Sequence, residues 1–154
     1  MGVGEKATSN DLENAYKLGR MIAQQGWVLL TGGRKAGVMD AASQGAKSVD
    51  GLTIGILPGK DGKAISEAVD IAIFTDMGNA RNNINVLSSD VIIACGIGAG
   101  TASEIALAVK NGKQVILLNE DETSKVFFKN ISPDNINIVE NVEEAISKVR
   151  LIVY

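Results

Sequence analysis

VIIACGIGAGTASE, residues 91–104, is the most informative stretch of this chain. Val91, Ile92, Ile93, Ala94 and Cys95 form an unbroken apolar run, which suits a strand buried on both faces of a parallel sheet. Gly96, Gly98 and Gly100 follow in alternate positions, and residues 105–110, IALAVK, read as helix. The glycines therefore occupy a strand-to-helix turn at the carboxyl end of a central strand. Open α/β sheets bind ligands there, with backbone N–H groups and the helix dipole directed at an anion.

The same alternation of strand and helix extends outward. Thr8 or Ser9 is placed to cap a helix, with Asp11 in its first turn. Its Leu12, Ala15, Tyr16, Gly19, Ile22 and Ala23 recur at helical spacing as far as Gly26. Strands are expected over 27–31, 52–57, 69–74, 114–118 and 136–139. Helices are expected over 38–49, with Met39, Ala42 and Ala46 on one face, over 79–87, with Ile84 and Leu87 inward, and from 141 to about 149. Asn141 and Glu144 have the spacing of a capping box at the last of these. Residues 32–37 form a second glycine loop, 60–63 a polar loop and 120–122 an acidic one. This pattern predicts an α/β fold: a single Rossmann-like domain over residues 1–154, with a doubly wound parallel sheet and helices on both faces. One strand is unaccounted for. In a doubly wound domain a turn such as Gly2–Gly4 follows the first, central strand, so that strand is expected upstream of Met1 or from a partner element.

Composition narrows the chemistry. The chain has a net charge of −3, which gives no electrostatic reason to expect nucleic acid. No apolar run approaches the ~20 residues that span a bilayer. The N-terminal residues show no signal-peptide pattern, and the expected compartment is the cytoplasm, with no membrane partner. There is no His, and Cys95 is the single cysteine. Imidazole base catalysis and His- or Cys-built metal centres are therefore excluded from one chain, and no protein-ligated metal is expected. Catalysis would rest on Asp, Glu, Lys, Arg, Tyr or backbone dipoles.

Gly96, Gly98 and Gly100, with Ala99 and Thr101, allow a phosphate or other oxyanion to approach the backbone closely. Gly32, Gly33 and Gly37 supply an opposing wall, in which Arg34 and Lys35 either neutralise the same anion or face solvent. Neither loop is a Walker motif, since no G-K-[ST] follows. Thr101 and Glu104 fit a capping box, T-x-x-E; if Glu104 points instead into the cleft, it is the best-placed general base or ribose-hydroxyl acceptor. Arg81 begins a helix, where a cation opposes the macrodipole; either a bound phosphate or a carboxylate is expected beside it, or it is a solvated charge at the helix start. Asn82 or Asn83 is expected to face the cleft, and Cys95 to lie in the core.

Together these residues carry a resemblance. Gly32-Gly33 with Gly37-Val38-Met39, then Arg81-Asn82, then Gly98-Ala99-Gly100-Thr101 with Glu104, resemble the lysine-decarboxylase-like or "lonely guy" superfamily. Arg81 to Lys110 is most similar to the branch of short proteins that includes the molybdenum cofactor carriers. The resemblance implies a Rossmann-like homo-oligomer that binds the phosphate-bearing molybdopterin cofactor without turnover. The cofactor-binding set is then Gly32, Gly33, Gly37, Arg81, Asn82, Gly96, Gly98, Ala99, Gly100, Thr101 and Glu104. Molybdate or tungstate would fit the same anion site, and molybdoenzymes or cofactor-synthesis proteins would be the exchange partners. Other members of the superfamily are phosphoribohydrolases that cleave nucleoside 5′-monophosphates such as cytokinin riboside monophosphates. In that case Arg81 and Glu104 would be catalytic. Two departures favour binding over cleavage: Gly96-Ile97 stands where those enzymes have Pro-Gly, and Ser103 replaces the first acid of their Glu-Glu pair.

Overall fold

The computed structural model describes residues 1–118 and 121–154. Its elements alternate along the chain. They are α1 (Ser9–Gln24), β1 (Leu29–Thr31), α2 (Gly37–Lys47), β2 (Thr53–Leu57), β3 (Ile71–Phe74), a 3₁₀ turn (Gly78–Arg81), α3 (Asn82–Leu87), β4 (Val91–Cys95), α4 (Ala99–Lys110), β5 (Gln114–Leu118), α5 (Glu122–Ile131), β6 (Ile136–Ile138) and α6 (Val142–Val153). All strand pairs are parallel, in the orders β1-β2-β3 and β4-β5-β6. The Rossmann-like α/β architecture is as expected, but the sheet consists of two three-stranded halves.

Side-chain alternation along β4 gives the layers. Cys95, with Val91 and Ile93 packed beside it, joins a core containing Ala15 and Leu18 of α1, Ala42 of α2 and Ile146 and Val149 of α6. Ile92 and Ala94 enter a second core with Val86 of α3, Ile105 and Ala108 of α4 and Phe128 of α5. A parallel strand buried on both faces in this way reads as an unbroken apolar run, which is why residues 91–95 show no period-two pattern.

Caps set several helix starts. Thr8 accepts from Asp11 N–H while the Asp11 carboxylate accepts from Thr8 N–H, closing a capping box on α1. Asn141 accepts from Glu144 N–H at α6. The expected capping box at Thr101 and Glu104 does not form. Gly98, in extended conformation, takes the cap position, and α4 begins at Ala99, so Thr101 and Glu104 both lie inside the helix.

Other expectations also shift. On α1 the buried face runs through Ala15, Leu18 and Gly19, leaving Leu12 and Tyr16 exposed. On α3 it runs through Asn82, Asn85 and Val86, and Leu87 is 51% exposed rather than inward. The acidic loop expected at 120–122 starts at Glu120, outside the described residues, and from Glu122 the chain is helical. Helix α5 had no counterpart in the sequence reading. No helix among the described residues is long and apolar enough to cross a membrane.

Helices α1 and α2 meet backbone to backbone. A Cβ at Gly19 would lie 1.9 Å from the Ala42 carbonyl oxygen, and one at Gly45 would lie 1.9 Å from that of Tyr16. No side-chain movement relieves a clash with a carbonyl, so the helices would have to separate. Gly19→Ala is therefore expected to lose about 2 kcal/mol of stability, overpacking outweighing the ~1 kcal/mol gain in helix propensity. Gly59→Ala, with open space around its Cβ, should stay within about 0.5 kcal/mol. Denaturant melts of both variants check this, and equal stability would contradict the close packing.

Candidate functional site

A cavity of about 1010 Å³ opens at the carboxyl ends of β1 and β4. Around it the fold brings together Gly32, Arg81, Asn82, Gly98, Ala99, Gly100, Thr101 and Glu104, with Arg34 on the same wall. Gly33, Gly37 and Gly96 do not line it. Gly33 lies against Gly55 of β2, Gly37 beneath the carbonyls of Val3 and Gly4, and Gly96 beside the Asp11 carboxylate.

Arg81 ends the 3₁₀ turn, yet it is only 8% exposed. Its guanidinium lies over Gly32, where an added Cβ would come within 2.6 Å of Nη2 and 2.7 Å of Nη1. A side chain at position 32 would therefore displace the arginine, which gives that glycine a direct role in the site. The charge is incompletely matched: Nη1 is 3.9 Å from Glu104 Oε1, beyond hydrogen-bond distance, and Nε has no partner among the described residues. Burial pushes the guanidinium pKa below its ordinary value; the Glu104 charge opposes this shift, and the Arg34 charge adds to it. The Arg81 guanidinium thus has one carboxylate and a second cation near it.

Glu104 is held from α3. Asn85 Nδ2 donates to its Oε1 at 3.1 Å in a fully buried contact. Asn85 was not among the expected site residues. Its place four positions after Arg81, on the same helical face, was the available signal. Asn82 Nδ2 donates to Ser103 Oγ at 3.0 Å, and that hydroxyl donates to the Gly100 carbonyl at 2.7 Å, tying α3 to the first turn of α4.

The start of α4 is the second component. No side chain caps it, so its first N–H groups have no intrahelical acceptor. Thr101 is 2% exposed, and its Oγ1 has no hydrogen-bond partner among the described residues. Ala99 and Gly100 are exposed, and a Cβ at Gly100 would meet nothing within 4 Å, so the approach to these N–H groups is open. Uncapped N–H groups at a helix N-terminus, a lone hydroxyl and an under-matched arginine match the donor set of an oxyanion site. Among the described residues no group of three His, Cys, Asp or Glu could hold a metal ion. Burial raises the Cys95 thiol pKa to about 11, so it is a core group rather than a nucleophile.

Known proteins resemble this chain to different degrees. A molybdenum cofactor binding protein from the phototrophic bacterium Rippkaea orientalis is 61% identical, with a TM-score of 0.99 over 100% of this chain and 94% of its own. The molybdenum cofactor carrier protein of Chlamydomonas reinhardtii is 47% identical, with a TM-score of 0.95 over 99% of this chain and 94% of its own. A cytokinin riboside 5′-monophosphate phosphoribohydrolase of Mycobacterium tuberculosis is 32% identical over 103 residues, which are 66% of this chain and 55% of that enzyme. Residues 1–146 match the SLOG cluster4 family, which upholds the lysine-decarboxylase-like resemblance, and the chain belongs to that family.

Proposed function

We propose that this chain is a carrier that holds the molybdenum cofactor without transforming it. The observation that carries the proposal is the buried Arg81, with an unpartnered Nε, lining one cavity with the uncapped start of α4. In this reading a phosphate or molybdate oxygen accepts hydrogen bonds from the N–H groups at residues 99–101, from Thr101 Oγ1 and from Arg81. Gly32 and Arg34 line the same cavity beside Arg81. Free molybdate and tungstate, also tetrahedral dianions, compete for the same donors. The 61% and 47% identity to a cofactor binding protein and a cofactor carrier support this choice of cargo.

The second reading is a nucleoside 5′-monophosphate phosphoribohydrolase, favoured by the Mycobacterium tuberculosis relative and by the neighbouring Arg81 and Glu104. It is the weaker one. Glu104 is already engaged by Asn85, and position 103 offers a hydroxyl bonded to Gly100 where the enzymes have an acid. The protein also works as a homo-oligomer in our reading. Ile71 and Ile73, 46% and 45% exposed, lie on one face of the edge strand β3 and offer apolar surface suited to a second copy. Molybdoenzymes or cofactor-synthesis proteins would be the exchange partners.

Three outcomes are expected. In cofactor and tungstate titrations, Arg81→Gln should weaken binding roughly 10- to 100-fold, as expected for losing a charge-assisted hydrogen bond, while Glu104→Gln should bind at least as well as the parent. Release of free base from AMP or isopentenyladenosine monophosphate, abolished by Glu104→Gln, would transfer the site to the hydrolase reading. Thr101→Val should leave the melting temperature of the ligand-free protein equal or higher, because it removes an unpaired buried hydroxyl, yet weaken anion binding by about 3- to 10-fold. Light scattering should show an oligomer that Ile73→Asp converts to smaller species; a parent protein that is monomeric at working concentration would remove the oligomer from the account.

A further inference from the structure

Helix α3 holds α4 through two amide side chains: Asn82 donates to Ser103 and, three residues on, Asn85 donates to Glu104. The backbones at the second contact are fixed independently of it. Val86 and Ile105, the chain neighbours of Asn85 and Glu104, are fully buried in one core, and the Ser89 hydroxyl donates to the Asn85 carbonyl at 2.8 Å. The side chains therefore decide the geometry. Two donors compete for Glu104 Oε1. Asn85 Nδ2 reaches it at 3.1 Å, while Arg81 Nη1 stays 3.9 Å from the same atom. With both partners charged, the arginine bond is intrinsically the stronger of the two. The gap to Arg81 exceeds a bonded N⁺–H···O⁻ distance by only about 1 Å, which rotation about the Glu104 side-chain bonds covers. Asn85 is nevertheless the partner. It is 1% exposed, and its own Oδ1 has no hydrogen-bond partner among the described residues. A half-satisfied buried amide is a costly choice for packing alone, since a leucine fills a similar volume without that cost.

We infer that Asn85 is a positioning residue that keeps Arg81 open to an oxyanion by holding Glu104 back from it. The inference rests on the anion-site reading above and adds what keeps that site from closing on itself. Without the Asn85 amide, Glu104 turns to the nearest remaining donor and pairs with the guanidinium in the cavity. An incoming oxyanion must then break an internal ion pair and meet a carboxylate at the same point, so its affinity falls. With the amide in place, Glu104 stays close enough to offset part of the Arg81 charge in the empty site and too far to occupy its donors. Asn85 acts only through Glu104, and its effect disappears when Glu104 carries no charge.

The test is a double-mutant cycle read by calorimetric titration with tungstate, using the full 154-residue chain. Asn85→Leu is expected to weaken tungstate binding roughly 10-fold. In the Glu104→Gln background the same substitution should change affinity by less than about 2-fold, because the group it restrains is no longer an anion. A purely structural Asn85 would weaken binding equally in both backgrounds, and that result would overturn the inference. Arg81→Gln serves as the reference arm. If it weakens binding while Asn85→Leu does not, the inference falls and the anion site stands. If parent and Arg81→Gln bind tungstate alike, the anion-site reading falls and takes the inference with it. Ligand-free crystals of Asn85→Leu give a readout that needs no titration. The separation of Arg81 Nη1 from the Glu104 carboxylate should shrink from 3.9 Å to a hydrogen-bond distance, and an unchanged gap would overturn the inference. Should Asn85→Leu fail to fold, Asn85→Ser, whose side chain is too short to reach Glu104, enters the same cycle with the same deciding outcomes.

Discussion

A buried guanidinium without a full set of acceptors is the constraint around which this site is arranged. Taking an arginine out of water costs several kcal/mol unless its charge is met by well-placed acceptors. Here Glu104 is near enough to offset part of the Arg81 charge but too far to bond it directly, and Nε has no partner among the described residues. Each neighbouring feature follows from keeping that group in place. Gly32 has no side chain because the guanidinium occupies that volume. Asn85 holds Glu104 at its station, and Arg34 makes the surroundings more cationic. In the proposed reading, a ligand that brings two or more anionic oxygens relieves this imbalance.

The α4 terminus supplies the complementary half. A side-chain cap would have satisfied the first N–H groups and stabilised the helix by about 1 kcal/mol. Gly98 forgoes that, and the exposed Ala99 and Gly100 leave the turn accessible. Fixed donors of this kind serve equally to bind an anion and to stabilise a transition state. The difference between holding and cutting therefore rests on the acid–base groups nearby. Glu104 is held from below by Asn85, and Ser103 spends its proton on the Gly100 carbonyl.

The fold was legible because parallel strands announce themselves as short apolar runs punctuated by glycine, as at residues 91–100. Helix α5 was not, since ETSKVFFKNI mixes charged and apolar residues, and its signal was confined to the Asp121 cap and the pairing of Lys125 with Phe128 on one face. The T-x-x-E spacing at Thr101 was misleading for a physical reason. A capping box depends on which residue adopts the extended cap conformation, and spacing alone does not say that Gly98 does so. The pairing of Gly32 with Arg81 spans distant segments and becomes visible only when β1 and the 3₁₀ turn are brought together.

The account stands or falls on where the oxyanion sits. Crystals of the protein grown with tungstate, measured for anomalous scattering at the tungsten edge, locate it directly. The account predicts one strong peak per chain, within hydrogen-bond distance of Arg81, Thr101 Oγ1 and the backbone N–H groups at residues 99–101. No peak there at a tungstate concentration that saturates binding in solution, or a peak confined to another surface, would contradict it.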